Sequence, residues 1–285
     1  MTILCIGSTG WIGSQCCKIL RDVNTYTVIE SKIRIDDYGS IGKELDLVKP
    51  THVLLTAGKT GRPNIDWCED HKIETIETNT LGTCVVVSEC QRRGIWCCYF
   101  GTGCIYEYDQ EHQERGVGFT EMDEPNFDRS WYSYTKILTE KILKTYSNVC
   151  ICRIRMPISS DFHPRSFITK ILSYQKVINV QNSMTILDDF LYLVPQIFER
   201  KLTGIYNFCN QGSISHNEIL DLYINHIDPN FKYTNFTIEE QDLVVKAPRS
   251  NNTLNVSKIL GEFPDIPHIK DSIEKVFEKL KQQKV

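Results

Sequence analysis

A glycine-rich turn near the start of the chain is the feature that most restricts its fold. Gly7-Ser8-Thr9-Gly10-Trp11-Ile12-Gly13 directly follows the apolar run of residues 2–6 and opens a helix-like stretch that reaches about residue 21. Glycines at GxxGxxG spacing between a strand and a helix allow a tight turn, close approach of the backbone to a pyrophosphate, and close helix–strand packing. The helix N-terminus then offers N–H groups to the anion. The pattern predicts a dinucleotide site at residues 7–13, rather than a turn with a packing role alone.

Short apolar runs alternate with helix-like stretches through the first half of the chain. Predicted strands cover residues 2–6, 27–29, 52–56, 95–100 and 148–154, and predicted helices cover residues 11–21 and 74–93. Apolar runs without polar alternation are typical of a parallel sheet that is covered by helices on both faces. We therefore predict an α/β fold with a Rossmann-type doubly wound parallel sheet, whose sites lie at the carboxyl ends of the strands.

The alternation loosens after about residue 157. The later predicted elements are helices at residues 167–175 and 190–200, a strand at 205–209, a capped helix from Ser215, and a helix at 269–281. We predict a dinucleotide-binding Rossmann domain over residues 1–157. Residues 158–285 are predicted to form a smaller C-terminal α/β lobe that mainly binds substrate, with some chain returning to the first domain.

Charge and cysteine usage narrow the partners and the compartment. A net charge of -4 and a pI near 6.0 give no long-range attraction to nucleic acid or anionic lipid. No apolar run approaches the roughly 20 residues that span a membrane, and the chain starts almost directly with a strand, so we expect a cytoplasmic location. The twelve cysteines lie mostly in apolar runs, where we expect reduced thiols. The Cys16-Cys17 and Cys97-Cys98 pairs lack zinc-ligand spacing, so no metal site is expected.

Residues after the second predicted strand give conflicting signals about the cofactor. Glu30 would suit the ribose hydroxyls of NAD, whereas Lys32 and Arg34 would suit the 2′-phosphate of NADP. The alternative for the two basic residues is ordinary solvated surface charge. Both interpretations remain open at this stage.

Tyr132 and Lys136 stand four residues apart at the start of a helix-like stretch, so both project from one helix face. A free tyrosine titrates near pH 10, and a nearby cation stabilises its phenolate, which lowers its pKa toward neutrality. The pair lies downstream of the glycine turn, and Thr102 ends the fourth predicted strand. This context indicates proton transfer at the carboxyl edge of the sheet.

The sequence resembles the extended short-chain dehydrogenase/reductases, in which a Ser or Thr, a Tyr and a Lys surround the nicotinamide and the reacting carbonyl. Thr102, Tyr132 and Lys136 match that set. Further motifs are spread over nearly the whole chain, at residues 60–64, 66–69, 102–105, 155–160, 164–171, 182–185, 215–218 and 247–252. In these motifs the sequence resembles the bifunctional nucleotide-rhamnose synthase/epimerase-reductases of plants and some large viruses, which are related to dTDP-4-dehydrorhamnose reductases.

The narrower resemblance implies two reactions in one site. Members epimerise C3 and C5 of UDP-4-keto-6-deoxy-D-glucose and then reduce the C4 ketone with NADPH, which gives UDP-L-rhamnose. By resemblance, Thr102 polarises the substrate oxygen, Tyr132 donates its proton, and Lys136 binds the nicotinamide ribose and lowers the pKa of Tyr132. The same resemblance implies that Cys104 and Lys170 form the acid/base pair for epimerisation. Without it, Cys104 would be read as one more buried thiol and Lys170 as a solvated lysine.

Other roles are likewise implied by the resemblance. The diphosphate-sugar candidates are Arg62, Asn64 and Arg249, and further cofactor contacts are expected from Ala57, Gly58, Asn79 and Met156. The alternative for Asn64 is a cap on the following helix. Ser8 departs from the family pattern, because relatives have a basic residue at that position of the turn. The preference for NADPH over NADH is correspondingly open.

Two alternative functions are compatible with these site residues, and the resemblance also implies several partners. One rival is a reductase alone, with epimerisation left to another protein, and Cys104 argues against it. The other is a cofactor-binding regulatory protein without turnover, against which the intact Thr102, Tyr132 and Lys136 argue. We expect a nucleotide-sugar substrate supplied by a separate 4,6-dehydratase, and a homodimer. UDP and dTDP are not distinguished by any residue.

Overall fold

Strands and helices alternate in the computed structural model, which describes residues 1–283. The strands within that range are β1 (Thr2–Ile6), β2 (Thr27–Glu30), β3 (His52–Leu55), β4 (Trp96–Thr102), β5 (Val149–Ile154), β6 (Lys176–Val177), β7 (Gly204–Asn207) and β8 (Thr234–Asn235).

Most of the helices connect successive strands. They are α1 (Trp11–Arg21), α2 (Tyr38–Val48), α3 (Asp66–Asp70), α4 (Lys72–Ile76), α5 (Thr83–Arg92), α6 (Trp131–Leu143), α7 (Phe167–Leu172), α8 (Leu187–Phe190), α9 (Val194–Arg200), α10 (His216–His226), α11 (Ile238–Val244), α12 (Ser257–Glu262) and α13 (Ile269–Gln283). A π-helical turn, Glu77–Gly82, joins α4 to α5, and a 3-10 turn, Leu191–Leu193, precedes α9.

The central sheet has six strands in the order β2-β1-β3-β4-β5-β7. β1 pairs in parallel with both β2 and β3, and β3 pairs in parallel with β4. Parallel neighbours bring their carboxyl ends to one edge, so the residues after β1, β3 and β4 gather there. The predicted α/β class and the parallel doubly wound sheet are confirmed.

Two compact units make up the chain. The first comprises Met1–Ile105, Phe127–Arg153 and Leu191–Tyr206, and the second comprises Tyr106–Asn126, Ile154–Phe190 and the chain from residue 207 onward. The predicted division at residue 157 stays a prediction.

One apolar core cluster of the first unit lies between the sheet and helices that pack against it. Leu4, Val53 and Cys97 of the sheet pack there with Ile41 of α2 and Val86 of α5, all with 5% exposure or less. Burial of each such aliphatic side chain contributes about 1.5–3 kcal/mol. The packing fixes α2 and α5 on the sheet and so fixes the loops at its carboxyl edge.

The second unit has its own apolar core and a two-stranded parallel sheet formed by β6 and β8. α10 packs against α7 and α13 in this core. Ser215 caps α10 with the predicted chemistry, because its hydroxyl accepts from the Glu218 N–H while the Glu218 carboxylate accepts from the Ser215 N–H. The predicted capped helix is confirmed.

Several predicted boundaries differ from the observed ones. The helix predicted at 74–93 begins at Lys72 and contains the π-helical turn, and the helix predicted at 167–175 ends at Leu172. The helix predicted at 190–200 is divided into α8, a 3-10 turn and α9, where Pro195 lacks the N–H that a continuous helix needs. Within residues 1–283, none of the helices combines the length and the apolar character that crossing a bilayer requires.

Candidate active site

The glycine turn after β1 is packed so tightly that two of its glycines cannot be replaced without strain. Gly7 has a φ of +90°, and a Cβ there would lie 2.4 Å from the backbone nitrogen of Ala57. A Cβ at Gly13 would lie 2.2 Å from the carbonyl oxygen of Gly7. Gly7 therefore allows the turn, and Gly13 allows α1 to pack against it, as predicted.

The start of α1 offers backbone donors to an anion. Gly10 is the N-cap residue and has no side chain to occupy these donors, and the first turn contains no acidic residue. Thr9 and Gly10 are exposed, while Ser8 is buried. The N–H groups of a helix start and the positive end of the helix dipole suit a pyrophosphate, so the residues present fit a dinucleotide.

Gly13→Ala should disturb both stability and cofactor binding. The added methyl group collides with the Gly7 carbonyl, and such overpacking costs about 1–3 kcal/mol. We expect Tm to fall by several degrees and the Kd for NADPH to rise, as measured by thermal melting and fluorescence titration. Gly39→Ala is the matched control, because a Cβ at Gly39 of α2 meets nothing within 4 Å. Equal melting temperatures for the two variants would contradict the packing argument.

Charged residues at the end of β2 are paired with one another. Arg21 donates to the Glu30 carboxylate and, together with Ser8, holds the pKa of Glu30 below its usual range. Arg34 forms two hydrogen bonds with Asp36, at 2.9 and 2.6 Å, while Lys32 is exposed. Arg34 is thus engaged by a partner that its sequence spacing did not suggest, although its side chain is 71% exposed, as Lys32 is also exposed.

The N-terminus of α6, which carries Tyr132 and Lys136, is held from two sides. The Ser130 hydroxyl accepts from the Ser133 N–H at 3.1 Å, and the Glu69 carboxylate of α3 accepts from the Trp131 N–H at 2.7 Å. A carboxylate at a helix N-terminus also interacts favourably with the helix dipole. These contacts fix the first turn of α6, from which Tyr132 projects.

Thr102 and Tyr132 lie together at the carboxyl end of β4. Both are buried, with 5% and 8% exposure. Burial is the main cause that raises the pKa of Tyr132, and an interaction with the Thr102 hydroxyl partly lowers it. The net direction is opposite to the predicted lowering, because removal from water outweighs the other effects. Tyr132 therefore holds its proton at neutral pH, as a proton donor must.

Lys136 lies beside this pair. Its Nζ is 5.9 Å from the centroid of the Tyr132 ring and donates a hydrogen bond to the Tyr99 hydroxyl at 2.8 Å. Burial lowers the pKa of Lys136 to about 8. Tyr99 was missed by the sequence reasoning, because its contact with Lys136 is made between β4 and α6, 37 residues apart.

Asn79 is fully buried in the π-helical turn, where it holds the loop after β3. Its Oδ1 accepts from the Lys59 N–H at 2.7 Å, and its Nδ2 donates to the Lys59 carbonyl at 2.9 Å. A Cβ added at Gly58 would lie 3.5 Å from both Asn79 Oδ1 and Lys136 Nζ. The first unit thus brings Gly58, Asn79, Lys136 and Tyr132 to one place. π-helical turns are frequent at functional sites.

Cys104 follows Thr102 in the same unit. Its N–H donates to the Thr102 hydroxyl at 3.1 Å, and its carbonyl accepts from the Ser133 hydroxyl at 2.6 Å. It is half-buried, unlike most of the other thiols. The backbone bonds tie the residue to both the end of β4 and the first turn of α6.

Lys170 and Arg249 belong to the second unit. Lys170 lies on α7 and is half-buried. Arg249 is also half-buried, and its guanidinium donates to the Ala247 carbonyl at 2.6 Å. Met156, in the same unit, has a φ of +40°. This left-handed backbone is uncommon for a side chain of its size, and strained residues concentrate at functional sites.

Arg62 and Asn64 lie in the loop that precedes α3. Arg62 is exposed, whereas the Asn64 Oδ1 accepts from the N–H of Asp66, the first residue of α3, at 2.8 Å. This is the helix-capping contact that the sequence offered as the alternative for Asn64.

Three thiols from neighbouring strands approach one another inside the first unit. The Sγ atom of Cys152 lies 3.8 Å from that of Cys98 and 3.9 Å from that of Cys150. Sequence spacing missed this cluster because its members come from β4 and β5. Hydrogen bonding among the thiols and burial raise the pKa of Cys98 and Cys152, so we expect protonated thiols rather than metal ligands. The absence of a metal stays a prediction. None of the twelve cysteines, all of which lie within residues 1–283, forms a disulfide, and their reduced state stays a prediction.

Comparisons with known proteins agree with this arrangement. The model of the NAD dependent epimerase/dehydratase family matches residues 3–192. The bifunctional dTDP-4-dehydrorhamnose 3,5-epimerase/dTDP-4-dehydrorhamnose reductase of Arabidopsis thaliana is 50% identical, with 99% of this chain and 94% of that protein covered.

Two further relatives differ in length and in source. A trifunctional UDP-glucose 4,6-dehydratase/UDP-4-keto-6-deoxy-D-glucose 3,5-epimerase/UDP-4-keto-L-rhamnose-reductase of Arabidopsis thaliana is 50% identical over 96% of this chain, which spans only 41% of that protein. The crystal structure of the L780 UDP-rhamnose synthase from Acanthamoeba polyphaga mimivirus is 39% identical and superposes with a TM-score of 0.93, covering 98% of this chain and 99% of that one.

Proposed function

The chain belongs to the NAD-dependent epimerase/dehydratase family, and from this premise we propose that it converts UDP-4-keto-6-deoxy-D-glucose to UDP-L-rhamnose. It epimerises C3 and C5 of the sugar and then reduces the C4 ketone. The observation that carries the proposal is the half-buried Cys104 thiol, whose backbone is bonded to Thr102 beside Tyr132. A reductase alone would need only the Thr102, Tyr132 and Lys136 set.

Reduction uses the three residues at the end of β4 and the start of α6. NADPH, when bound, supplies the hydride for C4. Tyr132 gives its phenolic proton to the C4 oxygen as negative charge develops there, and burial keeps that proton on Tyr132 until then. Thr102 donates a hydrogen bond to the same oxygen and orients it. The Lys136 ammonium provides donors for the nicotinamide ribose and a positive charge near Tyr132.

Epimerisation exploits the acidity that the C4 ketone confers on the neighbouring C–H bonds. We assign Cys104 and Lys170 to the two faces of the sugar, so that one removes the proton from C3 or C5 and the other returns a proton to the opposite face. The enolate formed between these two steps carries its charge on the C4 oxygen, where Thr102 and Tyr132 stabilise it. One oxygen site therefore serves both reactions.

The proposed substrate-binding residues are Arg62, Asn64 and Arg249. Arg62 and Arg249 offer planar guanidinium groups to the diphosphate. Asn64 is also proposed as a substrate contact. Its bond to the Asp66 N–H holds the loop from which it would reach the substrate. UDP is the proposed nucleotide because the mimivirus relative is named a UDP-rhamnose synthase. UDP- and dTDP-linked substrates should be assayed side by side, since one methyl and one hydroxyl separate the two nucleotides.

NADPH is the proposed reductant, with Lys32 as the cation that meets its 2′-phosphate. Lys32→Ala should raise the Kd for NADPH roughly fivefold to tenfold and leave that for NADH unchanged, because only NADPH carries the phosphate. Titration of protein fluorescence with each cofactor measures this, and Lys18→Ala, an exposed lysine on α1, is the control. Wild-type protein that binds NADH at least as tightly as NADPH would remove Lys32 and Arg34 from the phosphate site.

The proposed partners follow from the chemistry. The substrate already carries a 4-ketone and a 6-deoxy centre, so a 4,6-dehydratase must act first. The name of the trifunctional relative includes such an activity, and this chain spans 41% of that protein. We also propose a homodimer. Ile73 of α4 and Ile142 of α6 are apolar, with 72% and 42% exposure, and lie on helices of the first unit.

Consumption of NADPH in the presence of a 4-keto sugar nucleotide tests turnover itself. Tight NADPH binding without consumption would instead favour a regulatory protein that uses the fold for binding alone.

A further inference from the structure

The Tyr99 hydroxyl is the hydrogen-bond partner that β4 supplies to Lys136. Tyr99 lies three residues before Thr102, and only 1% of it is exposed. Its hydroxyl oxygen accepts from Lys136 Nζ at 2.8 Å, and Nζ lies 5.1 Å from the centroid of the Tyr99 ring. Within residues 1–283, this is the one hydrogen bond that the Lys136 side chain makes. The Ser/Thr, Tyr and Lys set leaves Tyr99 without a role.

We propose that Tyr99 is a positioning residue whose hydroxyl holds the Lys136 ammonium beside Tyr132, an inference that rests on the proposed reduction. A lysine side chain has four rotatable bonds and loses up to about 2 kcal/mol of conformational entropy when its ammonium is held in one place. The Tyr99 bond fixes that position from the protein side. An ammonium has three donors, so two remain for the ribose hydroxyls.

The charges around Tyr99 and Lys136 explain why the hydrogen bond between them matters. Burial raises the pKa of Tyr99 well above its usual range, so the phenol stays neutral and offers a dipole rather than a negative charge. The other titratable groups facing Lys136 and Tyr99 are Cys68 of α3, Cys84 of α5, and Tyr132 and Glu140 of α6. Glu140 is already neutralised by Arg153, with hydrogen bonds of 2.8 and 2.7 Å. The ammonium thus depends mainly on Tyr99 for stabilisation by hydrogen bonding.

Removal of the hydroxyl should therefore weaken proton binding at Lys136. In Tyr99→Phe the buried ammonium loses its acceptor, and we expect it to bind its proton about tenfold more weakly, since a hydrogen bond to a charged group has about that effect. The sign follows from burial, which already lowers the pKa of Lys136 to about 8 and would lower it further without an acceptor. Lysine is cationic below its pKa, so activity that needs the cation is lost as pH rises.

The experiment compares wild type, Tyr99→Phe and Tyr146→Phe. Tyr146 packs against the same core as Tyr99 and serves as the control for loss of a phenolic oxygen. Protein labelled with 13C at the lysine Cε positions is titrated by NMR, and the Lys136 signal is identified by its loss in Lys136→Met. The pH profile of kcat/KM is then measured with NADPH and UDP-4-keto-L-rhamnose.

We expect Lys136 to titrate near pH 8 in wild type and in Tyr146→Phe, and at clearly lower pH in Tyr99→Phe. The basic limb of the kcat/KM profile should move to lower pH in the same variant, which a loss of core packing alone would not produce. An unchanged Lys136 titration in folded Tyr99→Phe would overturn the inference. If the Lys136 titrations of wild type and Tyr99→Phe differ as expected but wild type does not reduce the sugar, the proposed function is overturned and the Tyr99 assignment stands.

Discussion

Tyr132→Phe should slow reduction of UDP-4-keto-L-rhamnose by about 10²–10⁴-fold, the usual contribution of a positioned general acid. The phenol is buried beside Thr102, and burial keeps it protonated at neutral pH. Removing the oxygen leaves the developing charge on C4–O without its proton donor, while the ring still fills its place. Steady-state oxidation of NADPH measures the loss, which should fall on kcat more than on KM.

Tyr134→Phe is the matched control for this variant. It removes the same atom from the same helix, but Tyr134 is 37% exposed and stacks with Trp131 instead. We expect its reduction rate to stay near that of wild type. Near-wild-type reduction by Tyr132→Phe would exclude Tyr132 as the acid, and comparable losses in both variants would indicate damage to α6 rather than lost proton transfer.

Cys104→Ala should slow epimerisation strongly and spare reduction. Proton transfer at C3 and C5 is expected to slow by about 10²–10⁴-fold, while UDP-4-keto-L-rhamnose, whose centres are already inverted, should still be reduced. The split arises because the thiol acts on carbon-bound protons, whereas the backbone of residue 104 keeps its bonds to Thr102 and Ser133. Exchange of solvent deuterium into C3 and C5, followed by NMR without NADPH, measures the first step alone.

Cys84→Ala controls for loss of a half-buried thiol, since Cys84 of α5 is half-buried like Cys104. We expect normal deuterium exchange in this variant. Exchange at the wild-type rate in Cys104→Ala would remove the thiol from epimerisation and would leave the chain as a reductase that needs a separate epimerase.

Local patterns predicted the geometry of the glycine turn almost completely. Its strand, glycines and helix are contiguous, so the sterics of Gly7 and Gly13 are determined by neighbours within a few residues and by the loop after β3. The same holds for the Ser215 cap, whose partner lies three residues away. Apolar runs sufficed for the parallel sheet because a strand that is buried on both faces has little polar alternation to misread.

Contacts between distant segments could not be read from the sequence. Three hydrogen bonds join different elements: Lys136 donates to Tyr99, the Lys59 N–H donates to Asn79, and the first N–H of α6 donates to Glu69. The pKa of Tyr132 was predicted in the wrong direction for the same reason, because spacing revealed the nearby lysine but not the depth of burial. Even a contact between near neighbours can escape prediction from sequence. Asp36, the partner of Arg34, is only two residues away, but the pairing depends on how the loop after β2 turns.

The most direct test of the account is the product formed from UDP-4-keto-6-deoxy-D-glucose, NADPH and the pure protein in deuterated water, analysed by mass spectrometry and NMR. We predict UDP-L-rhamnose with solvent deuterium at C3 and C5 and with protium from NADPH at C4. A C4-reduced sugar that retains its original configuration and lacks deuterium at C3 and C5, or no consumption of NADPH, would contradict it.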